Sequence, residues 1–156
     1  MAIEIERKFL VAGDGWRGLV RSSEALRQGY LTTGGKGVTV RVRTVDDARG
    51  FITIKSGGSA LARAEFEYEV PIADARQLLA LSRGAQIDKT RHNLDLGGGD
   101  WVVDEFHGRH EGLWIAEVEL ESPTGKLDLP AWLGDEVTGD PQYYNSSLAM
   151  LVGGEI

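Results

Sequence analysis

The chain has 156 residues, a formal net charge of −7, 42% hydrophobic and 26% charged residues, and no cysteine. That length suits one domain spanning 1–156 with a real core, and the missing thiols exclude disulfides, thiolate catalysis and cysteine-ligated zinc. The acidic balance argues against nucleic acid or an anionic membrane as partner; with no apolar run near the ~18 residues of a membrane helix and no signal-peptide pattern, a cytoplasmic protein is expected.

The opening AIEIERKFLV alternates and predicts a strand over 3–11. It places Glu4, Glu6 and Lys8 on one face and Ile3, Ile5, Arg7 and Phe9 on the other. GDGWRG (13–18) matches G-x-G-x-x-G. The strand before it is charged and no βαβ unit surrounds it, so a loop is expected there rather than a dinucleotide site. Further strands are predicted over 26–32, 38–45, 51–56 and 64–71. In VTVRVRT, Arg41 and Arg43 share a face opposite Val38, Val40 and Val42. FITIKS sets Lys55 with Thr53 and Phe51, and AEFEYEV sets Glu65, Glu67 and Glu69 against Phe66, Tyr68 and Val70.

ADARQLLALSRGA (73–85) predicts a helix stopped by Gly84. Strands follow over 86–95, 101–106 and 114–121, with Lys89 beside Arg91, then Asp104 with Val102 and Phe106, then Glu117, Glu119 and Glu121 on one face. His107 and His110 flank a turn and are expected to be solvated. The stretch 129–141 reads as irregular chain or one short turn of helix. NSSLAMLV (145–152) predicts a C-terminal helix capped by Asn145 or Ser146. Eight short strands at hairpin-like spacing give a mainly β (α+β) fold, an antiparallel barrel or sandwich.

Charges two residues apart usually mark a solvated outer face. Here the signs are segregated by strand, whereas a surface kept only for solubility mixes them. The opposite faces are rich in Val, Ile, Phe and Tyr. Two readings stay open at this point, solvated outer faces or a charged interior. The interior would hold Lys8, Arg41, Arg43, Lys55, Lys89 and Arg91, and the carboxylates Glu4, Glu6, Glu65, Glu67, Asp104, Glu117 and Glu119. Burying such groups costs several kcal/mol each unless they are paired or bind counter-ions. Clustered Arg and Lys suit a polyanion; clustered carboxylates suit a hard cation such as Mg²⁺ or Mn²⁺. Together they describe a site for a metal-bound polyphosphate.

At these residues the sequence resembles the CYTH superfamily, the triphosphate tunnel metalloenzymes. EIERKF carries the E-x-E-x-K signature at Glu4, Glu6 and Lys8, and RVR, IK, EFE, KTR, VDEF and EVELE follow in the family's order. The RQGYLT run and the EVTGDPQYYNSSLA tail resemble the small bacterial members, the inorganic triphosphatases. The resemblance implies an eight-stranded closed antiparallel barrel, a divalent metal and a triphosphate substrate. It implies that Lys8, Arg41, Arg43, Lys55, Lys89 and Arg91 grip phosphates and that Glu4, Glu6, Asp104, Glu117 and Glu119 hold metal. Glu65 and Glu67 match a middle acidic pair of less fixed role. Glu69 and Glu121 lie outside the motif and are read as rim or solvent residues.

The expected reaction is direct water attack on the terminal phosphorus, because no Ser, His or Cys in the matched set offers a nucleophile. Lys55, Glu65 and Glu67 are the candidates for orienting that water. Inorganic tripolyphosphate is the first choice of substrate. A class IV adenylate cyclase and a polyphosphate-binding module without turnover are the alternatives. A homodimer is left open by the sequence.

Overall fold

The computed structural model describes residues 2–32, 37–56, 62–122, 124 and 126–150. Its strands are β1 (Ala2–Val11), β2 (Val20–Tyr30), β3 (Thr39–Val45), β4 (Arg49–Lys55), β5 (Ala62–Val70), β6 (Arg83–Leu94), β7 (Asp100–Phe106), β8 (Trp114–Glu119) and β9 (Leu133–Glu136). Two helices join them, α1 (Ile72–Ala80) and α2 (Asn145–Met150). The strands pair in the order β5-β4-β3-β2-β6-β7-β8-β1-β9, and β1 also pairs with β5. Eight strands thus close into an antiparallel barrel.

β1 is the seam. Ala2 to Ile5 pair with β5, and Glu6 to Leu10 pair with β8. Phe9 and Val11 also pair with β9, which takes over the edge that β5 leaves. The β3–β4 hairpin turns through Asp46 and Asp47, both at positive φ (52° and 51°). Aspartate tolerates that region, and a turn of this hand matches the strand twist.

Both faces of the sheet are covered. Outside β1, β7 and β8, an apolar cluster joins Ile5, Phe9, Trp16, Trp101, Val103, Ala116, Val118 and Trp132. The GDGWRG segment is a loop, as expected, and it clamps this cluster: the Ala12 and Gly13 amides donate to the Trp132 carbonyl at 2.8 and 3.2 Å. A Cβ on Gly15 would stand 2.8 Å from the Trp132 ring, so close approach requires glycine here. α1 lays Ala75 and Leu79 on Val42, with Ile52 and Val70 beside them. Asp74 in its first turn suits the helix dipole.

α2 does not cover the outside. Its Leu148 and Ala149 pack with Tyr30, Ile87, Phe106 and Ile115. The last three alternate in phase with Lys89, Asp104 and Glu117, so they point inward. α2 therefore fills one end of the barrel, where burial of the Leu148 side chain stabilises by about 2 kcal/mol.

The sequence-based boundaries need correction at several points. β2 begins at Val20, not 26, and β6 at Arg83. α1 ends at Ala80, and Gly84 (φ +70°) lies within β6 beside a register shift instead of stopping the helix. β8 ends at Glu119, short of 121. Within 129–141, expected to be irregular, β9 forms. α2 runs over 145–150; residues 151 and 152 lie outside the described residues. Asn145 is its first residue, and its side-chain oxygen accepts from Lys89 at 3.0 Å.

Candidate active site

Around the barrel, β2 and β1 stand four strands apart in either direction. Strands flanking β2 carry a basic wall and strands flanking β1 an acidic one, so the two walls face each other.

On the basic wall, Arg41 and Arg43 project from β3 and Lys89 and Arg91 from β6. Gln28 of β2 lies between, paired with Arg43 on one side and Ile87 on the other. Arg43 Nε donates to Gln28 Oε1 at 2.8 Å. Arg41 Nη2 donates to Thr53 Oγ1 at 3.0 Å, and Thr53 donates onward to Glu67 Oε2 at 2.8 Å. Arg91 makes two hydrogen bonds to Asp104, and Lys89 Nζ lies 2.7 Å from Asp104 Oδ2. Burial tends to raise the Asp104 carboxyl, but Arg91 and Lys89 hold it well below the usual range. Burial, then the neighbouring Arg41 and Arg91, push Arg43 down to about 9. Burial lowers Lys89 to about 7; Asp104 works to keep it charged against Arg91 and Arg43. Such crowding of cations is what a polyanion relieves. Two buried donors, Arg41 Nε and Gln28 Nε2, have no hydrogen-bond partner among the described residues.

The acidic wall runs along β1, β5 and β8. Glu6 is Glu119's register partner and Lys8 is Glu117's. Lys8 Nζ lies 3.6 Å from Glu117, 3.5 Å from the Tyr143 carbonyl and 5.9 Å from the Tyr144 ring centre. Lys55 Nζ donates to Glu4 at 2.8 Å and lies 3.8 Å from Glu65. Burial pushes Glu65 up to about 7, helped by its hydrogen bond to Glu4. Burial opposes ionisation of Glu4 as well, yet that bond and Lys55 draw it down to about 2. The shared hydrogen bond thus favours the charged form of Glu4 and the neutral form of Glu65. Burial and the charges of Glu117 and Glu4 raise Glu6 to about 7, and burial with Glu4 and Asp100 raises Glu119.

Hard carboxylate oxygens crowded enough to repel one another fit a divalent cation in chemistry. Among the described residues no three such groups already converge into a metal cage. The donors differ in availability. Asp104 commits both oxygens to Arg91, and Glu117 lies between Lys8 and Arg91 at 3.6 and 3.7 Å. Glu6 and Glu119 make no ion pair with a described residue.

The barrel interior thus gathers Lys8, Arg41, Arg43, Lys55, Lys89 and Arg91 with Glu4, Glu6, Glu65, Asp104 and Glu117, while Glu119 is exposed at the end of β8. Glu67 stands nearer the rim, 3.7 Å from Arg41. Glu69 is exposed and pairs with Arg49, and Glu121 is exposed. Neither histidine of HGRH is simply solvated: His107 bonds Thr90 at 2.7 Å and His110 bonds the Leu148 carbonyl at 2.9 Å. Sequence reasoning placed Thr53 on the Lys55 face without a role and missed Gln28 and Asn145 as neighbours of the charged groups. They are uncharged, so charge alternation does not report them; the inward phase of β2, carried by Leu26, Gln28 and Tyr30, is the signal that would have found Gln28.

A CYTH domain model matches residues 2–147. An inorganic triphosphatase of Acetivibrio thermocellus is 42% identical over 149 residues, covering 95% of this chain and 94% of that protein. An inorganic triphosphatase of Nitrosomonas europaea is 37% identical over 154 residues, covering 96% and 98%. The crystal structure of an inorganic triphosphatase aligns with a TM-score of 0.70 at 34% identity, covering 97% of each chain.

Proposed function

This chain belongs to the CYTH family, and we propose that it hydrolyses inorganic tripolyphosphate to pyrophosphate and phosphate inside its barrel, with a divalent cation bound. The observation that carries the reading is the opposition of the two walls, cations on β3 and β6 against carboxylates on β1 and β8. A triphosphate with its metal complements both at once. The likeness to two inorganic triphosphatases over nearly the whole chain favours tripolyphosphate as substrate.

In this proposal Arg41, Arg43 and Arg91 hold phosphate oxygens through charge-assisted hydrogen bonds, with Lys8 and Lys89 adding charge along the chain of phosphates. Glu4, Glu6 and Glu119 would hold Mg²⁺ or Mn²⁺, and the cation would neutralise charge on phosphate oxygens as the leaving group departs. Asp104 and Glu117 serve mainly as counter-ions that keep Lys89, Arg91 and Lys8 charged and aimed. Lys55, Glu65 and Glu67 are the candidates for orienting the attacking water. Water oxygen bonds to the terminal phosphorus, the bridging P–O bond breaks, pyrophosphate leaves with the electron pair, and the water's protons pass to the phosphate product and to solvent. Positioning and charge neutralisation supply the rate, and no covalent enzyme intermediate forms.

The test is phosphorus NMR of tripolyphosphate, ATP and pyrophosphate incubated separately with the protein and Mg²⁺ or Mn²⁺. Phosphate and pyrophosphate from tripolyphosphate, lost in Glu4→Gln/Glu6→Gln, are expected. Cyclic AMP and pyrophosphate from ATP would replace this reading with a cyclase. Binding of tripolyphosphate without turnover would reduce it to a binding module.

A further inference from the structure

We propose that Gln28 is a substrate-contacting residue of this barrel, giving one neutral hydrogen bond from its Nε2 to a phosphate oxygen while its Oε1 aims Arg43. The inference rests on the polyphosphate reading of the site and extends it to a residue outside the charged set.

Gln28 has no exposed surface. It points into the barrel from β2, directly across from Arg43 on β3. Its oxygen is already engaged, accepting from Arg43 Nε at 2.8 Å. That bond fixes which end of the amide is which: rotating it would set an NH₂ group against an N–H donor. The Nε2 atom then has no acceptor. Its surroundings explain why. The cross-strand neighbours are Arg43 and Ile87, and Arg41 and Arg91 crowd close enough to Arg43 to depress it. Those groups offer donors or hydrocarbon; Asp104 and Tyr30 also act on Arg43, but Asp104 is engaged by Arg91 and Lys89, and neither accepts from Nε2.

A buried amide without a partner costs free energy, so its retention calls for a ligand. The second orphaned donor, Arg41 Nε, belongs to the adjacent strand. Two orphaned donors on neighbouring strands of one wall call for an acceptor-rich, anionic guest, which a phosphate oxygen supplies. Neutrality is also informative. A lysine at this point would add charge to a group of cations already repelling one another, whereas an amide adds a donor without adding charge.

The experiment uses the full chain with tripolyphosphate. In the ¹⁵N-labelled wild-type protein, saturation with tripolyphosphate should move the Gln28 side-chain NH₂ resonances downfield. Calorimetry should show Gln28→Met, which keeps length and removes the donor, binding tripolyphosphate about ten to a hundred times more weakly. A contact present in ground and transition states raises KM and leaves kcat nearly unchanged. An unmoved NH₂ resonance at saturation overturns the proposal. So does a folded Gln28→Met that binds within twofold of wild type, which would make the amide purely structural. If Gln28→Met does not fold, the resonance alone decides. Wild-type protein that binds tripolyphosphate without hydrolysing it contradicts the proposed function and leaves the Gln28 contact standing on its own readouts. Wild-type protein that binds none overturns both.

Discussion

Asp104 accepts two hydrogen bonds from Arg91 inside the barrel, at 2.8 and 2.9 Å. The two are direct cross-strand partners on β7 and β6, so the register itself delivers the fork to the carboxylate. Lys89 completes a buried triad on the same aspartate. The carboxylate that sequence resemblance grouped with the metal ligands thus bonds two cations here.

Asp104→Asn is expected to leave Lys89 and Arg91 buried without their counter-ion. Breaking such a group costs about 3–5 kcal/mol, which denaturant unfolding would register. Tripolyphosphate should then raise the melting temperature of the variant more than that of the wild type, because the anion replaces the lost charge. Metal affinity measured by calorimetry should stay within about threefold. A loss above tenfold would make Asp104 a ligand.

Gly50 sits beneath α1, where a Cβ would stand 2.4 Å from the Ala75 Cβ. Gly50→Ala is expected to destabilise by about 1–3 kcal/mol through overpacking. Gly50→Ala/Ala75→Gly should recover much of the loss, since it restores the space. Absence of recovery would show that the clash is not the cause.

Arg7 grips Glu136 through two hydrogen bonds, at 2.9 and 2.7 Å, and so fastens β9 to the seam strand β1. The Arg7 bond lowers the Glu136 carboxyl below its usual 4.5. A lowered carboxylate contributes stability that is fully present above 4.5 and is lost as pH falls through the folded value. The pair is partly exposed, at 26% and 38% for the two side chains, so solvent screening limits it to about 0.5–1 kcal/mol. A double-mutant cycle should find that coupling at pH 7 and find it falling as the pH is taken well below 4.5. A coupling unchanged across that range would contradict the assignment.

The charged interior was legible because β-strand alternation has a fixed period and the charges keep it from Glu4 to Glu119. Closure into a barrel did not follow from the alternation, which suits a solvated sheet face equally well; strand spacing left barrel or sandwich open, and the family resemblance implied the closed form. Other features left no such trace. LGDE of β9 pairs with β1 at only two positions, too few to set a period. The first half of β2 is polar on both faces, so nothing marks Val20 as its start. α2 reads as an ordinary amphipathic helix, and only the fold reveals that Leu148 packs against the inward Phe106 and Ile115. The hydrogen bonds of Gln28 and Thr53 come from cross-strand register, which a single strand's sequence does not contain.

The most direct test of the account is where substrate and metal lie. A crystal of the full chain grown with Mn²⁺ and tripolyphosphate, with data collected at the manganese absorption edge, would locate both. Manganese is expected against the carboxylates of Glu4, Glu6 or Glu119, at about 2.2 Å, and phosphate oxygens against Arg41, Arg43 and Arg91. A triphosphate bound outside the barrel, or manganese held away from the acidic wall, would contradict that placement.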